Sequence, residues 1–303
     1  MYRLLCMIAC LVLWTTAARA QAEDDRTTYP IVLFRPAVKG SRYRMTAEAH
    51  TTRKAVARQG DQETTRTESY RLEVETNVTV ERVNPRGLVT ESRYGILKCT
   101  LSRDGKTREL IPKGRVLHVT ALGHRVVMRL GNKPLDEDVA ALLEPLVSPG
   151  ANRVTDDEVL GSKLPRRLGQ RWPINSQRAA ADLKKVNPDV TVKDVTGTVT
   201  LKGLETVGEV PCLVIEAHLE VDKITPRVDV PRGLEVKSST MTADMSGAFP
   251  LDGTTGRLRQ AKDSVFRVVA RGKPRYDADE VDLVLTQRIR TVTTRRYLEP
   301  KED

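Results

Sequence analysis

The sequence has few aromatic residues and few histidines. Aromatic side chains make up 4% of its 303 residues, with three phenylalanines, and four histidines occur in the whole chain. Proteins that bind single-stranded nucleic acids stack bases on aromatic side chains set among basic residues. Such platforms need more aromatic side chains than this chain supplies, so we expect no nucleic-acid partner.

Long apolar runs are missing after the N-terminus. Residues 1–20 combine Arg3, an apolar stretch from Leu4 to Trp14 and the triplet Ala18-Arg19-Ala20, which are the three parts of a secretory signal peptide. The apolar stretch is shorter than a bilayer crossing requires. We expect a signal peptide over residues 1–20 and a secreted or periplasmic protein that does not span the membrane after cleavage.

Few cysteines remain beyond that segment, namely Cys99 and Cys212. An even pair in an exported chain permits one disulfide, Cys99 to Cys212. Two separate buried thiols are the alternative, since a free cysteine behaves as a small apolar residue. Neither cysteine belongs to a CxxC pair, so the sequence offers no thiolate metal site and no redox motif.

The motifs of the common enzyme classes are also absent. The sequence contains no HExxH, no GxSxG, no P-loop and no GxGxxG after a strand pattern. His218 shares the polar side of a strand pattern with Glu216 and Glu220, but a metal site there would need a fourth ligand that the pattern does not supply. We predict no metal, no cofactor and no catalytic residue, with an unrecognised hydrolase as the remaining enzyme hypothesis.

Charged residues are abundant and of both signs. They make up 30% of the chain, and the formal net charge is +10. Bases and acids alternate, as in Arg66-Thr67-Glu68, which is typical of a solvated surface and not of a dedicated basic patch.

Alternation of polar and apolar residues dominates the chain. From Tyr70 to Val80 the even positions are mostly apolar and the odd positions are polar, the pattern of an antiparallel strand that covers a core on one side. Turn signals such as Asp104-Gly105 separate segments of this kind. We predict a mainly β protein, with long antiparallel strands in two tandem curved sheets or half-barrels and one or two short helices.

One helix is predicted near the middle of the chain. Acidic residues at 136–138 precede apolar residues at helical spacing. The apolar residues are Val139, Leu142, Leu143 and Leu146. We divide the remaining chain into an N-terminal β half over residues 31–150, which carries this helix, and a C-terminal β half over residues 160–298. The helix is expected to line a hollow in the curved sheet that holds a hydrophobic or amphipathic ligand such as a lipid.

Three short motifs carry a resemblance to known proteins. They are Lys39-Gly40-Ser41-Arg42-Tyr43, the segment from Leu164-Pro165 to Gly169-Gln170-Arg171-Trp172, and the turn from Asp252 to Leu258. Together they resemble a group of exported bacterial β-rich proteins whose function is not established. More distantly, the predicted architecture is similar to the half-barrels of periplasmic lipoprotein carriers, which hold acyl chains in their concavity. The resemblance implies turns and core anchors, and it carries over no catalytic residue.

These expectations favour an exported, noncatalytic binding or envelope-associated module. The alternative is a structural or interaction protein without a small-molecule ligand, which meets another envelope protein through exposed strand edges.

Overall fold

The alternating segments of the sequence form strands in the computed structural model of the protein. The structure describes residues 27–122, 125–147, 154–185, 187–224, 230–253, 255–273 and 279–298. The predicted signal peptide therefore lies outside the described residues. None of the helices within the described ranges has the length and hydrophobicity that a bilayer crossing requires.

Thirteen strands make up most of the described chain. They are β1 Arg42–Gln59, β2 Gln62–Val83, β3 Val89–Arg103, β4 Lys106–Glu109, β5 Val116–Leu122, β6 Arg125–Leu130, β7 Lys133–Pro134, β8 Arg171–Pro173, β9 Val195–Val207, β10 Val210–Asp222, β11 Leu234–Pro250, β12 Arg259–Gly272 and β13 Val281–Tyr297.

Burial along β2 follows the predicted alternation. Leu72, Val74 and Val78 are almost fully buried, whereas Arg71 before Leu72 and Asn77 before Val78 are exposed. Side chains of consecutive strand residues point to opposite faces, so one face of β2 packs and the other meets water. The predicted mainly β, antiparallel fold class is confirmed.

Three α-helices and one 3₁₀ helix interrupt the strands within the described residues. They are α1 Glu137–Val147, α2 Asp156–Leu160, α3 Ser176–Leu183 and the 3₁₀ helix Val192–Asp194. The predicted helix start is confirmed, since Asp136 Oδ1 accepts a hydrogen bond from the Val139 amide at 3.1 Å. Thr155 and Glu158 cap α2 reciprocally, which satisfies two amide groups that a short helix leaves free.

All thirteen strands belong to one antiparallel sheet that is not closed into a barrel. Its order is β7-β6-β5-β3-β2-β1-β13-β12-β11-β10-β9-β8, with β4 paired to β3. The two halves that the sequence suggests meet where β1 pairs with β13 over sixteen residue pairs, from Tyr43–Tyr297 to Arg58–Asp282. The half-sheets are therefore continuous with one another, and the short strands β7 and β8 form the two edges.

Two hydrophobic cores lie along this sheet. The N-terminal core contains α1 and buried residues of β1, β2, β3 and β5, among them Leu72, Ile96 and Leu117. The C-terminal core contains α3 and buried residues of β9 and β10, among them Leu201 and Ile215. Each core fills the space between one half of the sheet and its helices.

Helix α1 packs as part of the N-terminal core. Leu143 and Leu146 are 1% and 8% exposed, and Val139 lies partly buried against the same core, while Leu142 is only half-buried and is not among the core residues. The predicted hollow-lining face is thus in contact with protein side chains, because β-sheet residues such as Ile96 occupy the space that we expected a ligand to fill.

Cys99 and Cys212 are both free and buried. They belong to different hydrophobic clusters, on β3 and β10, and five strands lie between these in the sheet. A disulfide needs Cα atoms within about 7 Å, whereas six strand spacings of about 4.8 Å separate these strands along the sheet. The predicted disulfide is therefore wrong, and the alternative is correct: Cys99 and Cys212 are two separate buried thiols.

Residues 29–34, here called the N-terminal segment, pack on the C-terminal half. Ile31 and Leu33 are buried in the C-terminal core, and Tyr29 pairs with Arg166 in an isolated bridge. The carboxylate of Asp157 on α2 accepts hydrogen bonds from the amides of Leu33 at 2.5 Å and of Phe34 at 3.0 Å. The chain thus crosses the C-terminal half before it enters β1 in the N-terminal half.

Candidate functional site

A groove of about 550 Å³ crosses the face of the sheet that points away from the C-terminal core. Its walls come from β8 to β13, which are consecutive neighbours in the sheet. On β9, Thr198 and Thr200 line the groove, whereas Val199 and Leu201 are buried in the C-terminal core. The alternation that packs one face of the strand therefore presents hydroxyl groups on the other.

A line of ionisable side chains crosses the groove. His218 on β10 is directly opposite Asp244 on β11, Asp244 is opposite Asp263 on β12, and Asp263 is opposite Arg290 on β13. Residues that face each other in an antiparallel pair have side chains about 5 Å apart on the same face. Four residues from four strands thus meet through the register of the sheet.

Each carboxylate in this line has its own hydrogen-bond partner, which is His218 for Asp244 and Arg288 with Arg290 for Asp263. Asp244 and Asp263 would otherwise repel each other across adjoining strands. His218 Nδ1 lies 2.7 Å from Asp244 Oδ1. Arg288 Nε donates to both oxygens of the Asp263 carboxylate, at 2.9 Å and 3.1 Å, and Arg288 Nη2 donates at 2.5 Å. Arg290 Nε donates a further hydrogen bond to this carboxylate at 3.0 Å.

These contacts favour the charged forms of both groups. The hydrogen bonds with Asp244 and then with Glu220, whose Oε1 lies 3.3 Å from Nε2, raise the pKa of His218 above its ordinary value. The hydrogen bonds from Arg288 and Arg290 hold the pKa of Asp263 below its ordinary value. The centre of the groove is therefore a set of mutually compensated charges.

A second line, parallel to the first, contains an apolar strip. Glu216, Ser246, Ala261 and Val292 face one another in sequence from β10 to β13. Val292 is 49% exposed, although valine prefers burial. Ala261 and Val292, here called the apolar strip, thus lie open in the groove beside the compensated charges.

Arg171 closes the groove at the β8 edge. It is opposite Thr200 in the sheet and is exposed. Its neighbour Trp172 points to the other face, where it is 5% exposed and donates a hydrogen bond from Nε1 to the Leu160 carbonyl at 2.9 Å. The buried Trp172 side chain holds the short strand β8 in place. Because consecutive strand residues point to opposite faces, Arg171 lies on the groove side.

We expect the stabilising contribution of His218 to be present at low pH and to be lost as the pH rises. Folding raises its pKa, so the folded state binds the proton more tightly than the unfolded state does. The contribution is complete below the unfolded pKa of about 6.5 and disappears as the pH rises through the higher folded pKa. Because the side chain is 44% exposed, solvent screening limits the effect to about 1 kcal/mol or less.

Urea unfolding of the wild type and His218→Gln measures this contribution. The variant should be the less stable of the two near about pH 5, and the difference should shrink near about pH 9. A difference of the same size at both pH values would contradict the assignment of the effect to imidazolium.

Only part of this site could be predicted from the sequence. His218 and Glu216 were expected on the polar side of one strand, and both line the groove. Asp244, Asp263 and Arg290 were not expected there, because their position beside His218 depends on a register that local patterns do not show. No group of three or more potential metal ligands occurs within the described ranges.

The predicted hollow-lining residues are not part of the groove. Leu143 and Leu146 belong to the N-terminal core, whereas the groove is formed by strands of the C-terminal half and by β13 at the junction. Local sequence patterns do not indicate the position of the groove, since the spacing of an amphipathic helix shows only where its own apolar face lies.

Comparison with known proteins finds no matching family model and no matching curated protein. Among solved structures, one of lipid–protein interactions in lipovitellin is 8% identical, with a TM-score of 0.38, and covers 88% of this chain. This chain spans 26% of the length of that lipovitellin chain.

Two bacterial structures are also similar. A DUF1329 family protein from Desulfovibrio piger is 12% identical, with 79% of this chain and 83% of that chain covered and a TM-score of 0.17. A putative outer membrane lipoprotein-sorting protein domain from Vibrio parahaemolyticus is 9% identical, with 84% and 87% covered and a TM-score of 0.11. At these identities and TM-scores the similarities carry no argument about function.

Proposed function

We propose that this chain is a noncatalytic binding module of the cell envelope whose ligand is amphipathic and lies in the groove. The observation that carries the proposal is the apolar strip, open to solvent in a groove otherwise lined by charged and hydroxyl side chains. A ligand with an apolar part and a polar part complements both kinds of lining. The envelope location rests on the signal-peptide pattern of residues 1–20.

The size and the charges of the groove support binding of a small molecule. Small-molecule sites commonly enclose about 300–1,000 Å³, and the groove has about 550 Å³. The carboxylates of Asp244 and Asp263 already have partners in His218 and Arg288. A ligand can therefore cover the centre of the groove without leaving an unpaired carboxylate, which would be costly. Burying the open Val292 side chain would add a favourable apolar contact.

The state of the candidate nucleophiles and bases supports a noncatalytic role. Burial raises the pKa of the Cys99 thiol to about 11, and burial also raises the pKa of Cys212, so both remain protonated thiols near neutral pH. Both ring nitrogens of His218 lie within hydrogen-bond distance of carboxylates. A ring whose two nitrogens both face carboxylates of the protein has no nitrogen left to take a proton from a substrate.

Filling the groove with a large side chain should weaken ligand binding strongly. Val292→Trp and Ala261→Trp place a large side chain on the apolar strip, where a ligand's apolar part would lie. We expect each to weaken the binding of palmitate and of monopalmitoylglycerol by about tenfold or more, measured by equilibrium dialysis with radiolabelled lipid. The control is Val236→Trp, which changes another exposed valine, 40% exposed, outside the groove on β11.

The outcomes separate the two functional hypotheses. Wild-type binding that both groove variants weaken and Val236→Trp leaves unchanged would support the proposal. If the wild type binds neither lipid, the proposal is wrong, and the structural or interaction role becomes the better hypothesis. Binding that survives in both groove variants would also contradict it, provided that their circular dichroism spectra match that of the wild type.

A further inference from the structure

We infer that the polar end of the ligand is an anion and that Arg171 holds it. This inference rests on the proposed function, because it names the chemical class of a ligand in the same groove. It would make the ligand a single-chain amphiphile whose head carries a carboxylate or a phosphate.

Arg171 differs from the other cationic side chains in and around the groove because it has no ion-pair partner. Arg288 and Arg290 both pair with Asp263, and Lys202 Nζ lies 3.4 Å from Glu216. Within the described part of the chain, by contrast, Arg171 makes no ion pair and no side-chain hydrogen bond. Lys262, which also lines the groove, has an interaction partner as well. Among the described residues that line the groove, Arg171 is therefore the cation without a partner.

The chemistry around Arg171 suits an oxyanion. A guanidinium offers planar, paired donors that match carboxylate and phosphate oxygens, and it remains charged at any physiological pH. Thr200 is directly opposite Arg171 in the sheet and also lines the groove, so its hydroxyl is a further donor on the same face.

The position of Arg171 relative to the apolar strip sets the form of the ligand. Arg171 is on β8, and the strip is on β12 and β13, four and five strands away in the sheet. At about 4.8 Å per strand, this is about 19–24 Å along the surface. A compact ligand cannot reach both, whereas a long acyl chain with one charged end can lie across the strands.

The path between them is compatible with such a chain. Thr200 and Ser246 line it with small side chains, whose methyl and methylene groups can contact an acyl chain while their hydroxyls remain solvated. Glu216 lies between these two residues, and its carboxylate is paired with Lys202 at 3.4 Å. The charges of His218 and Asp244 lie to one side, in the neighbouring line, where they are bonded to each other.

Arg171→Gln tests the inference by changing the ligand preference of the groove. We expect it to weaken binding of palmitate by about tenfold and to leave binding of monopalmitoylglycerol unchanged, because the neutral lipid has the same acyl chain without the anion. Arg171→Lys, which keeps the charge but loses the paired donors, should weaken palmitate binding by less. The matched control is Arg167→Gln, which removes an exposed arginine four residues away and outside the groove.

Equilibrium dialysis with palmitate, palmitoyl lysophosphatidic acid and monopalmitoylglycerol gives distinguishable outcomes. A selective loss for palmitate in Arg171→Gln identifies a carboxylate head, and a larger loss for the lysophosphatidic acid identifies a phosphate head. Equal wild-type affinity for the neutral and anionic lipids, unaffected by Arg171→Gln, would overturn the inference and leave the proposed function standing. If no lipid binds to the wild type, the proposed function itself fails.

Discussion

Truncation of Leu143 to alanine should lower the free energy of unfolding by about 3 kcal/mol, because a leucine deleted from a packed core loses its transfer energy and leaves a cavity. Leu143 on α1 is 1% exposed and packs in the N-terminal core. Chemical unfolding in urea measures the change. The neighbouring variant Leu142→Ala is the control, since Leu142 is half-buried and outside that core, and its loss should be about 1 kcal/mol or less.

The same pair of variants distinguishes a packed helix from a ligand-lining one. If α1 packs as described, Leu143→Ala destabilises the protein and leaves lipid affinity unchanged, because the groove is elsewhere in the sheet. A stable Leu143→Ala variant with altered lipid affinity would mean that the space beneath α1 is the ligand site, as first expected from the sequence.

Loss of the Asp157 carboxylate should detach the N-terminal segment and cost about 3 kcal/mol of stability. The carboxylate accepts two amide hydrogen bonds from Leu33 and Phe34, and a hydrogen bond to a charged group contributes about 1.5–3 kcal/mol. Without it, the segment would be held only by the packing of Ile31 and Leu33 in the C-terminal core and by the bridge between Tyr29 and Arg166. We expect Asp157→Ala to show this loss in urea unfolding and faster proteolysis before β1.

Asp157→Asn provides a graded control. Its amide keeps one oxygen acceptor and replaces the other with a donor, so it can satisfy one of the two backbone amides. Its loss of stability should be about half that of Asp157→Ala. Equal stability of the wild type and Asp157→Ala would show that the carboxylate does not fix the segment.

The strands could be predicted because their signal is local. In β2, apolar residues recur at every second position, and Leu72, Val74 and Val78 are buried as that spacing requires. The pairing of β1 with β13 could not be predicted, since alternation shows which side of a strand faces the core but does not identify its neighbour. The continuous sheet depends on that pairing between the two ends of the chain.

The error about α1 has a similar cause. The spacing of Val139, Leu143 and Leu146 correctly predicts a helix with one apolar face. It contains no information on whether that face meets a ligand or the protein's own side chains. In the structure, that face clusters with buried side chains of β1, β2, β3 and β5.

Only a few residues of the groove could be predicted from the sequence. The alternation of β10 places His218 and Glu216 on the polar face. The same rule, applied to β8, predicts that Trp172 points to the core and that Arg171 points to the opposite, exposed face. Which polar residues join them depends on the registers of β10 with β11 and of β11 with β12. These registers bring together residues that are tens of positions apart, such as His218 and Asp263.

Photoaffinity labelling shows directly whether the acyl chain of a bound lipid lies on the apolar strip of the groove. Palmitate that carries a diazirine at the end of its chain would be bound to the wild-type protein, irradiated and located by mass spectrometry of the peptides. If the acyl chain lies on the apolar strip, we expect labels on β12 or β13 around Ala261 and Val292, and we expect these labels to be lost in Val292→Trp. Labels on α1 or on the buried face of β2 and β3 would contradict it, because the ligand would then lie in the N-terminal core.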